Sequence, residues 1–234
     1  MYLFYTPDID KCTCLSEEES QHCVRVLRYG RGDEILLRDG HGNTYNAKIT
    51  NPHPKHCEFE ILSSERQEPS HHFHLHIAIA PTKNIERVEW MVEKCTEIGA
   101  DEITLLACRY SERKQMRMDR LEKIALSAAK QSLTPYLPQL NPMTDFAEFI
   151  RLQQTRNAQK FIAHCYESQK YLLRDRIERG RDVVVLIGPE GDFSEQEIDL
   201  ALTAGFQPVS LGNSRLRTET ACIVACNTAI FLNE

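Results

Sequence analysis

No apolar run in this chain is long enough to cross a bilayer; stretches such as Val183 to Ile187 fall far short of the roughly 20 residues a spanning helix needs. The opening segment, Met1 to Asp8, lacks the basic start and cleavage site of a secretory signal, so a cytoplasmic protein with no membrane partner is expected. Positive charge is in deficit: 28 Lys and Arg face 34 Asp and Glu, for a net charge of -6. That balance argues against a highly basic protein that coats nucleic acid. Nine cysteines are present, yet none forms a C-x-x-C pair, and Cys12-Thr13-Cys14 is too tight for a zinc knuckle. They read as reduced, mostly buried thiols, with Cys95, Cys222 and Cys226 on apolar helix stripes. His72, His74 and His76 alternate along one strand face, but no cysteine or carboxylate nearby completes a tetrad, and no metal is expected. Also missing are the G-x-G-x-x-G fingerprint and a P-loop lysine-serine pair. Any nucleotide-like ligand should therefore lack a pyrophosphate. Repeats and low-complexity tracts are absent as well.

What is present is ordinary soluble composition, 41% hydrophobic and 26% charged over 234 residues, enough for one large domain or a small and a medium one. Up to about Glu65 the pattern is mostly β, with strands near Tyr2–Tyr5, Glu34–Arg38, Thr44–Thr50 and Cys57–Leu62 and glycine turns between them. Ser16 and Glu19 form a capping box for one helix reaching about Leu27. Short strands of this kind suit a small barrel, which removes open edges. The polar segment Ser63–Ser70 reads as a linker. Beyond it, strands at His74–Ala80, Glu102–Cys108, Lys160–Cys165, Val183–Ile187 and Pro208–Leu211 alternate with helices. Those helices are expected after Pro81 as far as Gly99, at Met118–Leu133, Thr144–Thr155 and Ser194–Ala204, and at the C-terminus. Such alternation means a mainly parallel sheet covered on both faces.

Two loops carry the chemistry. Gly188-Pro189-Glu190-Gly191-Asp192 joins an apolar strand to a helix opened by a capping box of Ser194 and Glu197. Leu211-Gly212-Asn213-Ser214-Arg215-Leu216-Arg217-Thr218-Glu219-Thr220-Ala221 follows the next strand and opens the last helix. Open α/β sheets bind ligands at such strand-to-helix turns, and two close together suggest two walls of one pocket. The segment Arg109–Lys130 is locally basic, holding Arg109, Arg113, Lys114, Arg117, Arg120, Lys123 and Lys130. It is either an RNA face or a solvated helix surface.

With Lys83, Glu86, Arg87, Glu89, Lys94, Glu97, Gly99, Ser111-Glu112-Arg113, Gln131-Ser132 and the two loops, the chain resembles the RsmE-type 16S rRNA uridine-N3 methyltransferases of the SPOUT superfamily. The resemblance covers essentially the whole length. Many members have glycine where this chain has Asp192, and isoleucine where it has Arg215. It implies a PUA-like RNA-binding β-barrel over residues 1–68. It further implies an α/β domain with a trefoil knot over residues 69–234, binding S-adenosylmethionine and forming a homodimer. On that reading Ile187, Gly188, Glu190, Gly191, Leu211, Gly212 and Leu216 line the cofactor, while Arg217 and Glu219 are catalytic. Arg217 stabilises negative charge on the base, and Glu219 fixes that arginine or relays the proton. RNA contacts fall to Arg25, Arg28, Lys83, Arg87, Arg113 and Lys114, with 16S rRNA in the 30S subunit as partner. For Lys83 and Arg87, a helix-face salt bridge to Glu86 or Glu89 stands as the other option. A ribose 2′-O methyltransferase and a non-catalytic assembly factor are the alternatives for the whole chain. The small residues Ala221, Ala225 and Ala229 suit close packing, against a partner subunit or within the chain.

Overall fold

The computed structural model describes residues 2–9, 11–166 and 169–234. It divides into two units: Met1–Ser70 with Ala129–Leu137, and His71–Ala128 with Pro138–Glu234. The sequence pattern assigns Ala129–Leu137 to the second domain; the structure groups it with the first.

In the first unit, β1 (Leu3–Tyr5), β2 (Glu34–Arg38), β3 (Asn43–Asn51) and β4 (Glu58–Arg66) form one sheet in that order. Its far edge is not left open. Leu15 N–H donates to the Cys57 carbonyl and Phe59 N–H to that of Thr13, so the segment after β1 lines β4. Phe4, Leu15, Ile35, Leu37, Ile49 and Phe59 fill the interior. The expected linker is partly strand: Ser63 to Arg66 pair with Asn46 to Asn43. Their side chains are exposed, and apart from a hydrogen bond from Asn46 Nδ2 to Ser63 Oγ at 3.0 Å it is backbone pairing that holds them, which composition cannot reveal. The single expected helix is α1 (Glu17–Gln21) continuing as wide π turns over His22–Val26. Ser16 caps it, but Glu19 turns its carboxylate to Lys130, which belongs to the same unit.

The second unit is a seven-stranded sheet ordered β7-β6-β5-β10-β8-β11-β9. Its strands are β5 (Leu75–Ile79), β6 (Glu102–Ala107), β7 (Gln139–Asp145), β8 (Gln159–Ala163), β9 (Tyr171–Leu172), β10 (Val183–Ile187) and β11 (Gln207–Ser210). Every pairing in it is parallel. Alternation along β10 shows why both faces are covered. Val183, Val185 and Ile187 join a cluster with α2 (Ile85–Ile98), α3 (Met118–Ser132) and α6 (Thr218–Asn233). Val184 and Leu186 join another with α4 (Phe146–Gln153) and α5 (Glu195–Thr203). Helix ends follow local chemistry: Asn84 caps α2, Gly99 ends it at φ 108°, and Ser194 with Glu197 completes a reciprocal capping box on α5. Two strands, β7 and β9, lie outside the expected set. Ala225 and Ala229 are fully buried within the chain's own core, so this part of the small-residue stripe serves an internal contact. No helix among the described residues is long and apolar enough to cross a membrane.

The alternating histidines lie beside a fixed cation. Arg156 donates to Nδ1 of His74 (2.8 Å) and of His76 (3.1 Å), and to Glu102 (3.0 Å). Since arginine only donates, His76 Nδ1 is the acceptor and its proton sits on Nε2, which donates to Thr104 Oγ1 at 2.7 Å.

Candidate active site

Because the sheet is parallel, the C-terminal ends of neighbouring β5, β10, β8 and β11 open on one edge, where their loops gather. After β5, Ala80 N–H donates to the Ile187 carbonyl at 3.0 Å, tying that loop to the end of β10.

The β10 loop is tight. A Cβ on Gly188 would lie 3.1 Å from the Phe193 ring and 3.2 Å from the Phe193 nitrogen, so the chain folds back closely on itself there. Asp192 adopts φ 66°, a left-handed conformation that costs an ordinary L-residue about 1–2 kcal/mol. This is the position where many relatives of the resembled family carry glycine. Asp192 offsets the cost by accepting hydrogen bonds: from Cys165 N–H to Oδ2 at 2.7 Å, and from Phe193 N–H to Oδ1 at 2.8 Å. It thereby ties the β8 loop to the β10 loop. Asp192→Ala should destabilise the fold by about 2 kcal/mol, losing those bonds and keeping the strain. Asp192→Gly, which relieves the strain, should lose roughly half as much. Equal losses by chemical denaturation would contradict the account.

The β11 loop supplies the facing wall. Gly212 sits at φ 141°, which an L side chain rarely adopts, and Ser210 Oγ bonds both its N–H and its carbonyl. Two adjoining cavities flank this loop. One, of about 300 Å³, is lined by Ile187, Gly188, Pro189, Glu190, Leu216 and Arg217, together with Arg87 and Glu219. The other, of about 360 Å³, is lined by Leu211, Gly212 and Leu216, with His164 and Lys170 opposite. Cys165, Arg215, Leu216 and Ala221 border both. Of the residues expected to line a cofactor, Gly191 alone borders neither cavity; it backs onto Tyr110.

Glu219 lies in the first turn of α6 and is only 6% exposed. Its Oε1 is 3.6 Å from Arg87 Nε, and its buried Oε2 has no hydrogen-bond partner among the described residues. The expected Arg217–Glu219 contact is replaced by this one. Arg217 is the exposed N-cap of α6, bordering the same cavity, and makes no side-chain capping bond. Glu190 positions the loop after β5, since its Oε1 accepts Lys83 N–H at 3.0 Å.

The expected RNA-binding residues separate into two groups. Arg113 turns inward, donating to the carbonyls of Thr82 and Lys83, and so braces the loop after β5. Arg87 is turned to Glu219, and Lys83 pairs with Glu112 at 2.8 Å, so the helix-face bridge to Glu86 or Glu89 is replaced in both cases. Glu89 pairs instead with Arg120 at 2.6 Å. Lys114, Arg25 and Arg28 are exposed.

Sequence reasoning missed the β8 loop. His164 is buried and borders the second cavity, and its Nδ1 lacks a partner among the described residues. Burial, reinforced by the Lys170 ammonium, lowers its pKa from the ordinary imidazole value, against the pull of the Asp192 carboxylate. The available signal was topological: the apolar run before it ends at the same sheet edge as the two glycine loops.

Residues 69–230 match an RNA methyltransferase domain, and residues 15–62 match an RNA methyltransferase PUA domain. A crystal structure of a probable rRNA-methyltransferase from Porphyromonas gingivalis is 42% identical and superimposes with a TM-score of 0.94, covering 100% of this chain and 98% of that one. A methyltransferase from Legionella pneumophila, solved with its bound cofactor SAM, is 30% identical, with a TM-score of 0.84 and coverage of 98% and 96%. Ribosomal RNA small subunit methyltransferase E of Synechocystis is 29% identical over 226 residues, 93% of this chain and 72% of that protein. Matched over residues 15–62 and 69–230, the chain belongs to the RNA methyltransferase family.

Proposed function

We propose that this protein methylates N3 of a specific uridine in 16S rRNA, using S-adenosylmethionine and acting on the 30S subunit. The observation that carries the reading is the buried Glu219 carboxylate bordering a cavity beside Arg217, at the joined ends of parallel strands. A phosphate-free nucleoside cation suits these residues: apolar Ile187, Leu211 and Leu216 face its flat base, and the acidic Glu219 complements its charge. Gly188, Glu190 and Gly212 shape the backbone around it, and Gly191 supports the same loop from behind, against Tyr110.

When bound, S-adenosylmethionine supplies an electrophilic methyl: a bond forms to N3, the carbon–sulfur bond breaks, and its electron pair stays on sulfur. Uracil N3 presents a proton, which must leave for its lone pair to attack. Glu219 takes that proton and passes it to solvent, while Arg217 stabilises negative charge on the ring oxygens. The two loops hold the reactants in line, and alignment supplies a large share of the acceleration. Calorimetric titration with S-adenosylmethionine should give saturable heat and a raised melting temperature. No heat and no protection would favour a non-catalytic assembly factor.

The finer architecture in this proposal is a SPOUT trefoil knot in the second unit, a PUA-like barrel in the first, a homodimer and a cytoplasmic location. The α6 surface residue Phe231, 68% exposed, is a candidate partner contact. Light scattering that finds a monomer at working concentration would contradict the dimer.

Arg25, Arg28 and Lys114, with Lys83, are the proposed phosphate contacts. Neutralising any one of these cations should lower the salt dependence of 30S binding by about one counterion in slope. Lys114→Ala with an unchanged slope would remove that residue from the RNA face.

A further inference from the structure

Helices α2 and α6 pack side by side, and at the cavity Arg87 of α2 reaches Glu219 of α6. Only one carboxylate oxygen is engaged: Oε1 lies 3.6 Å from Arg87 Nε, and Oε2 is buried without a partner among the described residues. A buried carboxylate with one oxygen held by a guanidinium and the other unused points to a ligand donor for the second. The remaining charged or titratable groups around the cavity are Arg215 and Arg217 from the α6 loop, Glu190 and Asp192 from the β10 loop, and Cys165 from the β8 loop. Two of them are already engaged. Glu190 holds Lys83 N–H, and Asp192 holds Cys165 N–H. Lys83, after β5, is turned to Glu112.

We propose that Arg87 is a positioning residue for catalysis, holding Glu219 by one oxygen so that the other is presented to the uracil N3–H. This rests on the reading of Glu219 as proton acceptor. It replaces the expectation that Arg87 grips RNA. Arg87 lies within ion-pair distance of this buried carboxylate. Two arginines therefore divide the work: Arg87 acts on the base and Arg217 on the substrate charge.

The test compares wild type, Arg87→Met and Arg87→Lys on unmodified 30S subunits with labelled S-adenosylmethionine, measuring kcat and KM separately. Calorimetry with the cofactor accompanies each protein. Arg87→Met should bind the cofactor as wild type does and lose about 30-fold in kcat, with KM for the subunit unchanged. Arg87→Lys, which keeps the cation, should restore most of the rate. If Arg87→Met does not fold, Arg87→Lys still decides: a loss confined to KM for the subunit, with a changed salt slope, would overturn the proposal, because that is an RNA contact. The same KM effect with kcat intact in Arg87→Met would overturn it too. Failure of the parent reading looks different: wild type itself would show no cofactor heat and no N3 methylation.

Discussion

Arg217→Ala is expected to abolish methylation while S-adenosylmethionine still binds with near wild-type affinity. The side chain sits at the N-cap of α6, exposed at the mouth of the cavity, and makes no side-chain capping bond there. Removing it therefore costs the fold little. Its proposed work lies wholly in the transition state, where uracil gains negative charge as its proton leaves. A preorganised cation at a developing anion is worth about 100- to 1,000-fold in rate, so kcat and kcat/KM should fall together. Arg217→Lys should recover part of the rate, because charge is restored without the planar fork. Normal turnover by Arg217→Ala would remove this residue from the mechanism. Loss of cofactor affinity with kcat intact would reassign it to binding.

The second large effect concerns stability rather than rate. His76 is 1% exposed and locked as the neutral tautomer between Arg156 and Thr104. Burial first, together with the positive charge of Arg156, lowers its pKa to about 4, although Glu102 pulls the other way. An unfolded chain takes up that proton near pH 6.5, and the folded one resists it until about pH 4. The contribution is therefore fully present above pH 6.5 and lost as pH falls towards 4, reaching about 3 kcal/mol at the lower end. Glu102, pushed up by its own burial but held low by hydrogen bonds from Arg156 and Asn141 and by the Arg156 charge, contributes stability that is lost in the same direction. Comparison with His76→Gln isolates the histidine. The two proteins' unfolding free energies should converge by about 3 kcal/mol between pH 7 and pH 4. Parallel curves would show that the network does not work as described.

Much of the second unit was legible in the sequence because its signals are local. Ser194 and Glu197 announce α5, Gly99 ends α2, and apolar runs mark β5, β8 and β10. β7 was hidden, since Gln139–Asp145 holds Pro142, shows no alternation, and is half exposed on an edge strand. The end of β4 was hidden for the opposite reason, as its polar side chains give no sign of the backbone pairing beneath. Among site residues, the glycine loops were visible because turn chemistry is written in nearest neighbours. The Arg87–Glu219 pair was not, because it joins residues on two helices through packing that spacing alone cannot show. Asp192 illustrates a departure from a family pattern that makes physical sense: the carboxylate supplies cross-loop bonds that glycine lacks.

In the proposed reaction the paired loops of β10 and β11 bring a methyl donor to a uracil nitrogen. Incubating unmodified 30S subunits and free 16S rRNA with methyl-labelled cofactor, followed by nucleoside analysis and mapping, tests it most directly. The account predicts N3-methyluridine at one position, formed on the subunit. Label recovered as a 2′-O-methyl nucleoside, or none transferred to either substrate, would contradict it.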